Sequence, residues 1–208
     1  MKIKICGLCR EADVAFANEA MPDLVGFVFA PSRRRVSPSQ AARLRARLQE
    51  PIIPVGVFVN AAISDIQSLV TDGVITWVQL HGTEDPAYIR ELKASCPAPV
   101  IRAFRVERLE DLIPGQQRDR PEDYLLLDSG PGGTGRSFHW DLLRTCRPLV
   151  PYFLAGGITL DNLEAAFVYR PDGLDVSSGV ETSGFKDRSK MVRLVQRVRE
   201  GGLVYKQS

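Results

Sequence analysis

The chain is poor in the residues that would mark several protein classes. Among its 208 residues there are four cysteines, two histidines and two tryptophans, and its charges nearly cancel, 27 basic against 25 acidic. Cysteines at 6, 9, 96 and 146 are too few and too unevenly spaced for a disulfide scaffold. The near balance of charge leaves no global field that would favour nucleic acid or an anionic membrane as a partner. No apolar run reaches the roughly 18 residues of a membrane span, and residues 1–20 lack the apolar stretch of a secretory signal. The expectation is a cytoplasmic protein, with thiols kept reduced. No linker, low-complexity run or long charged block divides the chain. A 44% hydrophobic content over 208 residues suffices for one substantial core, so residues 1–208 are expected to form a single domain.

What the chain does have is a regular alternation. Short apolar runs bounded by turn residues occur at 3–6, 24–29, 52–59, 76–81, 99–104, 123–128, 151–156 and 173–178. Helical spacing or helix-start signals fall between them, at 10–20, 38–49, 62–72, 85–95, 159–168 and 187–200, with shorter segments near 107–113 and 139–146. Ser37-Pro38 and Asp85-Pro86 place a capping oxygen before a proline, a combination that starts helices. Eight strands and about eight helices in alternation predict an α/β fold, the (β/α)8 barrel; a doubly wound open sheet is the competing topology.

In such a barrel, chemistry gathers where strands end at the C-terminal mouth. Side chains alternate along a strand, so Lys2, Lys4 and Cys6 share one face, and Ile3 and Ile5 share the other. The same rule groups Gln79 with His81, Arg102 with Phe104, Leu126 with Asp128, and Asp175 with Ser177. If those faces point inward, Lys4, Cys6, Gln79, His81, Arg102, Asp128 and Asp175 meet at the mouth. Such groups can also form a satisfied internal network that only fixes the fold. Glycine and small hydroxyls crowd "AGGIT" and "DVSSGVE" at the ends of strands 7 and 8, where Gly156, Gly157, Ser177 and Ser178 are expected to hold phosphate through backbone N–H groups. Tight turns also select glycine. A third glycine-rich stretch, 128–140, is a lid or a backbone platform beside Asp128.

The spacing Cys6-Gly7-Leu8-Cys9 admits three readings: a redox pair, half of a zinc site, or one working thiol with a bystander. Zinc asks for a second ligand pair, and Cys96 and Cys146 are isolated. A thioredoxin-like pair also sits between strand and helix, but that fold is shorter and lacks eightfold alternation.

Several motifs, in order, are "KICGL", "GFVF" before "PSRRRVSP", "VQLHG", "LLLD" before "GGTGRSFHW", "AGGIT", and "DVSSGVE" before "GFKD"; together they span residues 2–187. In these the chain resembles the phosphoribosylanthranilate isomerases of tryptophan biosynthesis. The resemblance implies a (β/α)8 barrel acting on a small phosphosugar by an Amadori rearrangement, without metal or organic cofactor. It implies Cys6 as general base, Asp128 as general acid, Arg34 on the anthranilate carboxylate, and His81 and Asp175 lining the site. Lys4 is a candidate cation for lowering the Cys6 pKa, and partial burial would help keep Asp128 protonated. Arg33 and Arg35 leave the register of the arginine run open, His139 is expected to be structural, and Cys96 and Cys146 are expected to be packing residues. Cys9 stands where the family usually has threonine, and Ser183 where proline is more usual. Other phosphate-binding barrels, such as indole-glycerol phosphate synthase or the histidine-pathway ribonucleotide isomerase, would ask for catalytic lysine and glutamate or for paired aspartates. The oligomeric state, monomer or homodimer, is not decided by these residues.

Overall fold

The structure is a computed structural model and describes residues 1–117, 119–128 and 140–204, the last three as backbone only. Eight parallel strands close into a barrel in chain order: β1 (Lys2–Cys6), β2 (Leu24–Val28), β3 (Ile53–Phe58), β4 (Trp77–Leu80), β5 (Val100–Arg105), β6 (Tyr124–Asp128), β7 (Tyr152–Leu154) and β8 (Gly173–Val176). Closure sets β8 beside β1, with Lys4 opposite Asp175. The helices are α1 (Glu11–Ala20), α2 (Pro38–Arg45), α3 (Ile63–Thr71), α4 (Pro86–Ser95), α5 (Leu142–Thr145), α6 (Leu163–Phe167) and α7 (Arg188–Val204). Among the described residues none is long and apolar enough to cross a membrane.

Two helix starts form as the sequence dictates. Ser37 Oγ accepts from the Gln40 N–H at 3.1 Å and Asp85 Oδ1 from the Tyr88 N–H at 2.8 Å, each with proline next in the chain. Three segments differ from expectation for local reasons. Residues Leu109–Gln116 form a 3-10 helix rather than an α-helix; Pro114 has no N–H to donate there. Helix α6 is only five residues long, because Asn162 turns its side chain to the preceding loop instead of capping the helix. After β8 come a short 3-10 turn (Ser178–Val180) and an antiparallel hairpin, β9 (Glu181–Thr182) with β10 (Phe185–Lys186), which the strand pattern did not foreshadow. Its two-residue loop, Ser183-Gly184, has φ of 50° and 83°. Both values are left-handed, as a tight I′ hairpin turn requires. Proline, locked near −65°, could not take the Ser183 conformation.

The core has two shells. Ile3, Ile5, Phe27, Val78, Leu80, Leu125 and Leu127 face outward into the sleeve beneath the helices. Leu24, Val55, Ile101, Leu126, Phe153 and Ala155 fill the barrel interior. Trp77, Tyr124 and Phe153 stack across that interior with ring centroids 5.2 and 5.6 Å apart, closing the barrel as a floor rather than a pore. This phasing confirms the inward face of β1, β4, β6 and β8 and corrects that of β5. Ile101 and Ala103 point inward, so Arg102 lies outside, its guanidinium 4.7 Å above the Phe104 ring. Arg102 is therefore not at the mouth; with residues of both shells apolar on β5, alternation alone could not choose its face.

Candidate active site

The two halves of the mouth are built differently. On the β1/β8 side, Lys4 is fully buried and its ammonium donates to Asp175 Oδ1 at 2.9 Å. Burial works against the Lys4 charge, but Asp175 and then Cys6 outweigh it and the pKa rises above the ordinary lysine value. Cys6 ends the same strand one pleat higher. A Cβ on Gly26 of β2 would lie 2.8 Å from the Cys6 sulfur and 3.3 Å from the Lys4 ammonium, so glycine makes the space for both. The expectation that Lys4 lowers the thiol pKa holds only in part. Burial raises the Cys6 pKa, and Lys4 and Lys186, which pull it down, do not offset the rise.

Above the thiol, Gly7 has φ +85° and a Cβ there would stand 2.3 Å from Arg34 Cδ, so the arginine lies directly against the backbone that follows Cys6. The run Arg33-Arg34-Arg35 is thereby sorted. Arg34 is largely enclosed, with 13% of its side chain exposed against 56% for Arg33, while Arg35 is exposed and turned toward a different cavity. Arg34 already has a carboxylate partner within the chain. Its Nε and Nη2 donate to the two oxygens of Glu181 at 2.7 and 2.9 Å, and Arg33 and Lys186 donate to the same carboxylate at 2.6 and 2.8 Å. Burial tends to raise the Glu181 pKa, but the hydrogen bonds from Arg34 and Lys186 win and hold it below the usual carboxylate value. Sequence reasoning gave no role to Glu181 or Lys186. The signal was a Ser-Gly turn between two short β-forming pieces, "ETSGFK". Gly7, Cys9, Arg34, Glu181 and Lys186 line a cavity of about 210 Å³. Larger cavities of about 520 and 540 Å³ lie around Lys2, Asp23 and Arg199, at the N-terminal end of the barrel and away from these groups.

The loops expected to take phosphate meet at the same mouth. Gly156 and Gly157 are both left-handed, with φ of 82° and 69°. Asn162 Nδ2 donates to the Gly157 carbonyl at 2.8 Å while its Oδ1 accepts from the Thr159 N–H, which pins the turn. Gly179 touches the neighbouring loop so closely that a Cβ would fall 1.8 Å from the Ile158 carbonyl oxygen. Among the described residues the N–H groups of Gly157 and Ser178 have no acceptor. Ser177 Oγ donates to the Cys6 carbonyl at 3.1 Å, so the β8 loop is fastened to the end of β1.

On the β4/β6 side, Asp128 ends β6 with its side chain 14% exposed, and His81 Nε2 lies 3.6 Å from its Oδ2. Gln79, one pleat below, has its amide Nε2 3.1 Å from His81 Nδ1, in hydrogen-bonding contact. The backbone of His81 is held by its N–H on the Phe58 carbonyl, and Glu84 accepts from the N–H groups of Gly82 and Asn60 beside it. The structure thus brings Cys6, Arg34, His81, Asp128, Asp175, Gly156, Gly157, Ser177 and Ser178 to one end of the barrel. The glycine-rich stretch after Asp128, including His139, lies outside the described residues. Cys96 is buried in the core and Cys146 packs against it. Cys9 lies in the loop before α1, its N–H donating to Asp13, and all four thiols are free.

Known proteins share both this sequence and this architecture. A family profile described as N-(5'-phosphoribosyl)anthranilate (PRA) isomerase matches residues 3–197. The N-(5'-phosphoribosyl)anthranilate isomerase of Endomicrobium trichonymphae is 45% identical over 203 residues, covering 95% of this chain and 98% of the relative. That of Lactiplantibacillus plantarum is 43% identical over 205 residues, covering 97% and 94%. The crystal structure of phosphoribosyl anthranilate isomerase from Thermotoga maritima superposes with a TM-score of 0.86 at 33% identity, over 96% of this chain and 99% of that one. A related crystal structure holds reduced 1-(o-carboxyphenylamino)-1-deoxyribulose 5-phosphate, at 32% identity over 96% of this chain and 99% of that one, with a TM-score of 0.84. With the barrel closed strand for strand and the profile spanning nearly its whole length, the chain belongs to the N-(5'-phosphoribosyl)anthranilate isomerase family.

Proposed function

We propose that the chain performs its family's reaction in tryptophan biosynthesis with Cys6 as base and Asp128 as acid. N-(5-phosphoribosyl)anthranilate is converted to 1-(2-carboxyphenylamino)-1-deoxyribulose 5-phosphate, an internal aldose-to-ketose oxidoreduction. Opening the furanose needs a proton on the ring oxygen, and Asp128 delivers it, giving an iminium at C1. Loss of the C2 proton to the Cys6 thiolate then yields an enolamine, which tautomerises to the ketone. Cys6 and Asp128 end strands on different sides of one mouth, so acid and base can reach one sugar from two directions. That opposition is the observation that carries the reading.

The remaining residues are binding groups. Arg34 gives its Nε/Nη2 edge to Glu181, which leaves Nη1 and the second hydrogen of Nη2 for the anthranilate carboxylate. Gly156, Gly157, Ser177 and Ser178 surround the phosphate with N–H groups, and the free N–H of Gly157 and Ser178 support this. His81 steadies the Asp128 carboxylate, and Asp175 balances Lys4 below the thiol. A cytoplasmic location and no nucleic-acid or membrane partner accompany this role, the chain acting as a monomer or a homodimer. The decisive experiment follows the fluorescence of freshly made phosphoribosylanthranilate as it is consumed by the purified protein. Substrate loss no faster than in buffer would overturn the assignment.

A further inference from the structure

Lys186 is a buried cation near the thiol that the reaction above leaves without a task. It belongs to the hairpin and not to a barrel strand, and it is 4% exposed. Its ammonium donates to the Ser177 carbonyl at 2.9 Å and to Glu181 Oε1 at 2.8 Å, with Ser177 Oγ at 3.4 Å. Ser177 Oγ in turn donates to the Cys6 carbonyl. One buried cation is therefore joined through a serine to the strand end carrying Cys6, and through a carboxylate to Arg34. Withdrawing an ammonium from water is costly, and closing a two-stranded hairpin does not require one.

The charges facing Cys6 show what this cation adds. Lys4 on β1 is matched by Asp175 on β8, so that pair contributes no net charge. Arg33 and Arg34 from the loop after β2 and Lys186 from β10 share the single carboxylate of Glu181. Four cations against two carboxylates leave this cluster a net charge of +2, and of its members Lys4, Asp175 and Lys186 act on the thiol. A substrate carboxylate on Arg34 would remove one of these positive charges, and a phosphate at the Ser177-Ser178 loop would bring further negative charge. We infer that Lys186 is a positioning residue for the rearrangement, fixing the Ser177 loop against the Cys6 backbone and supplying the positive charge that stabilises the thiolate once substrate is bound. In line with this, Lys4 and Lys186 both pull the thiol down against its burial, and Cys6 in turn favours the charged form of Lys186, whose pKa burial lowers.

The inference rests on Cys6 being the base, but its test reads the thiol directly. Iodoacetamide alkylation of Cys6 is followed by mass spectrometry against pH in a Cys9→Ser background, since Cys6 and Cys9 share one tryptic peptide. Lys186→Met should raise the pH of half-maximal alkylation by about one unit, and kcat at neutral pH should fall about tenfold with it while KM changes little. Lys186→Arg should restore most of both. Glu181→Gln, which removes a negative charge from the same cluster, should move the alkylation midpoint the opposite way, downward. A folded Lys186→Met protein with the parent's alkylation profile would overturn the inference. If that variant does not fold, an unchanged or raised midpoint in Glu181→Gln overturns it instead. An active Cys6→Ser enzyme would be a different failure: it removes the base assignment while leaving the alkylation result readable.

Discussion

The two sides of the mouth handle charge in opposite ways. Around Cys6 the charged groups are paired and, apart from the exposed Arg33, enclosed: Lys4 with Asp175, and Arg34 and Lys186 with Glu181. Beside Asp128 the nearest charged side chain given is His81, 36% exposed and 3.6 Å from the carboxylate. The contrast matches the chemistry asked of each side. A thiol becomes an adequate base only where fixed cations favour its anion, and buried charges persist only when paired.

Breaking each side separately gives the largest expected effects. Cys6→Ser should lose several decades of kcat, because a hydroxyl is far too weak a base at neutral pH, while Cys9→Ser should stay within a few fold. Equal collapse of both in steady-state assays would return the Cys6-Cys9 pair to redox chemistry. Asp128→Asn should lose about two to four decades of kcat with substrate affinity retained, as measured by kinetics and by binding of a product analogue. Gly26→Ala tests whether enclosure matters: its methyl would stand 2.8 Å from the Cys6 sulfur, and the displaced thiol should cost on the order of 10²-fold in kcat in a folded protein. Arg34→Ala should mainly raise KM, by about one to two decades, and Arg33→Ala, removing a mostly exposed side chain, by less. The smallest effect concerns acid. The pKa of Glu181 is depressed by Arg34 and Lys186 against the opposing pull of burial, so its contribution to stability is present above the ordinary value of 4.5 and is lost as pH falls through the depressed one. Glu181→Gln should lower Tm at neutral pH and shrink the further drop seen on acidification below about pH 4, measured by thermal melts across pH.

Much of this was legible in advance for specific reasons. Strands β1, β6 and β8 carry polar groups on one face only, so alternation put Cys6, Asp128 and Asp175 on that one face, which the structure turns inward. Strand β5 reads "VIRAFR", with apolar residues and an arginine on both faces, and there the same rule chose the wrong side for Arg102. Glu181 and Lys186 escaped notice because their meaning lies in a turn between two-residue strands, too short for any periodicity.

The sequence by itself determined the eight alternating strand-helix units and the strand ends from which Cys6, Asp128 and the glycine-rich loops project, because these follow from local periodicity, capping and glycine placement; closure of the strands into a barrel, rather than an open sheet, came from the tertiary structure. Only the tertiary structure decided which charges share a partner. Three cations converging on Glu181 come from residues 33, 34 and 186, far apart in the chain, and the balance between burial and those cations at Cys6 is a property of the closed barrel, where low dielectric and proximity act together.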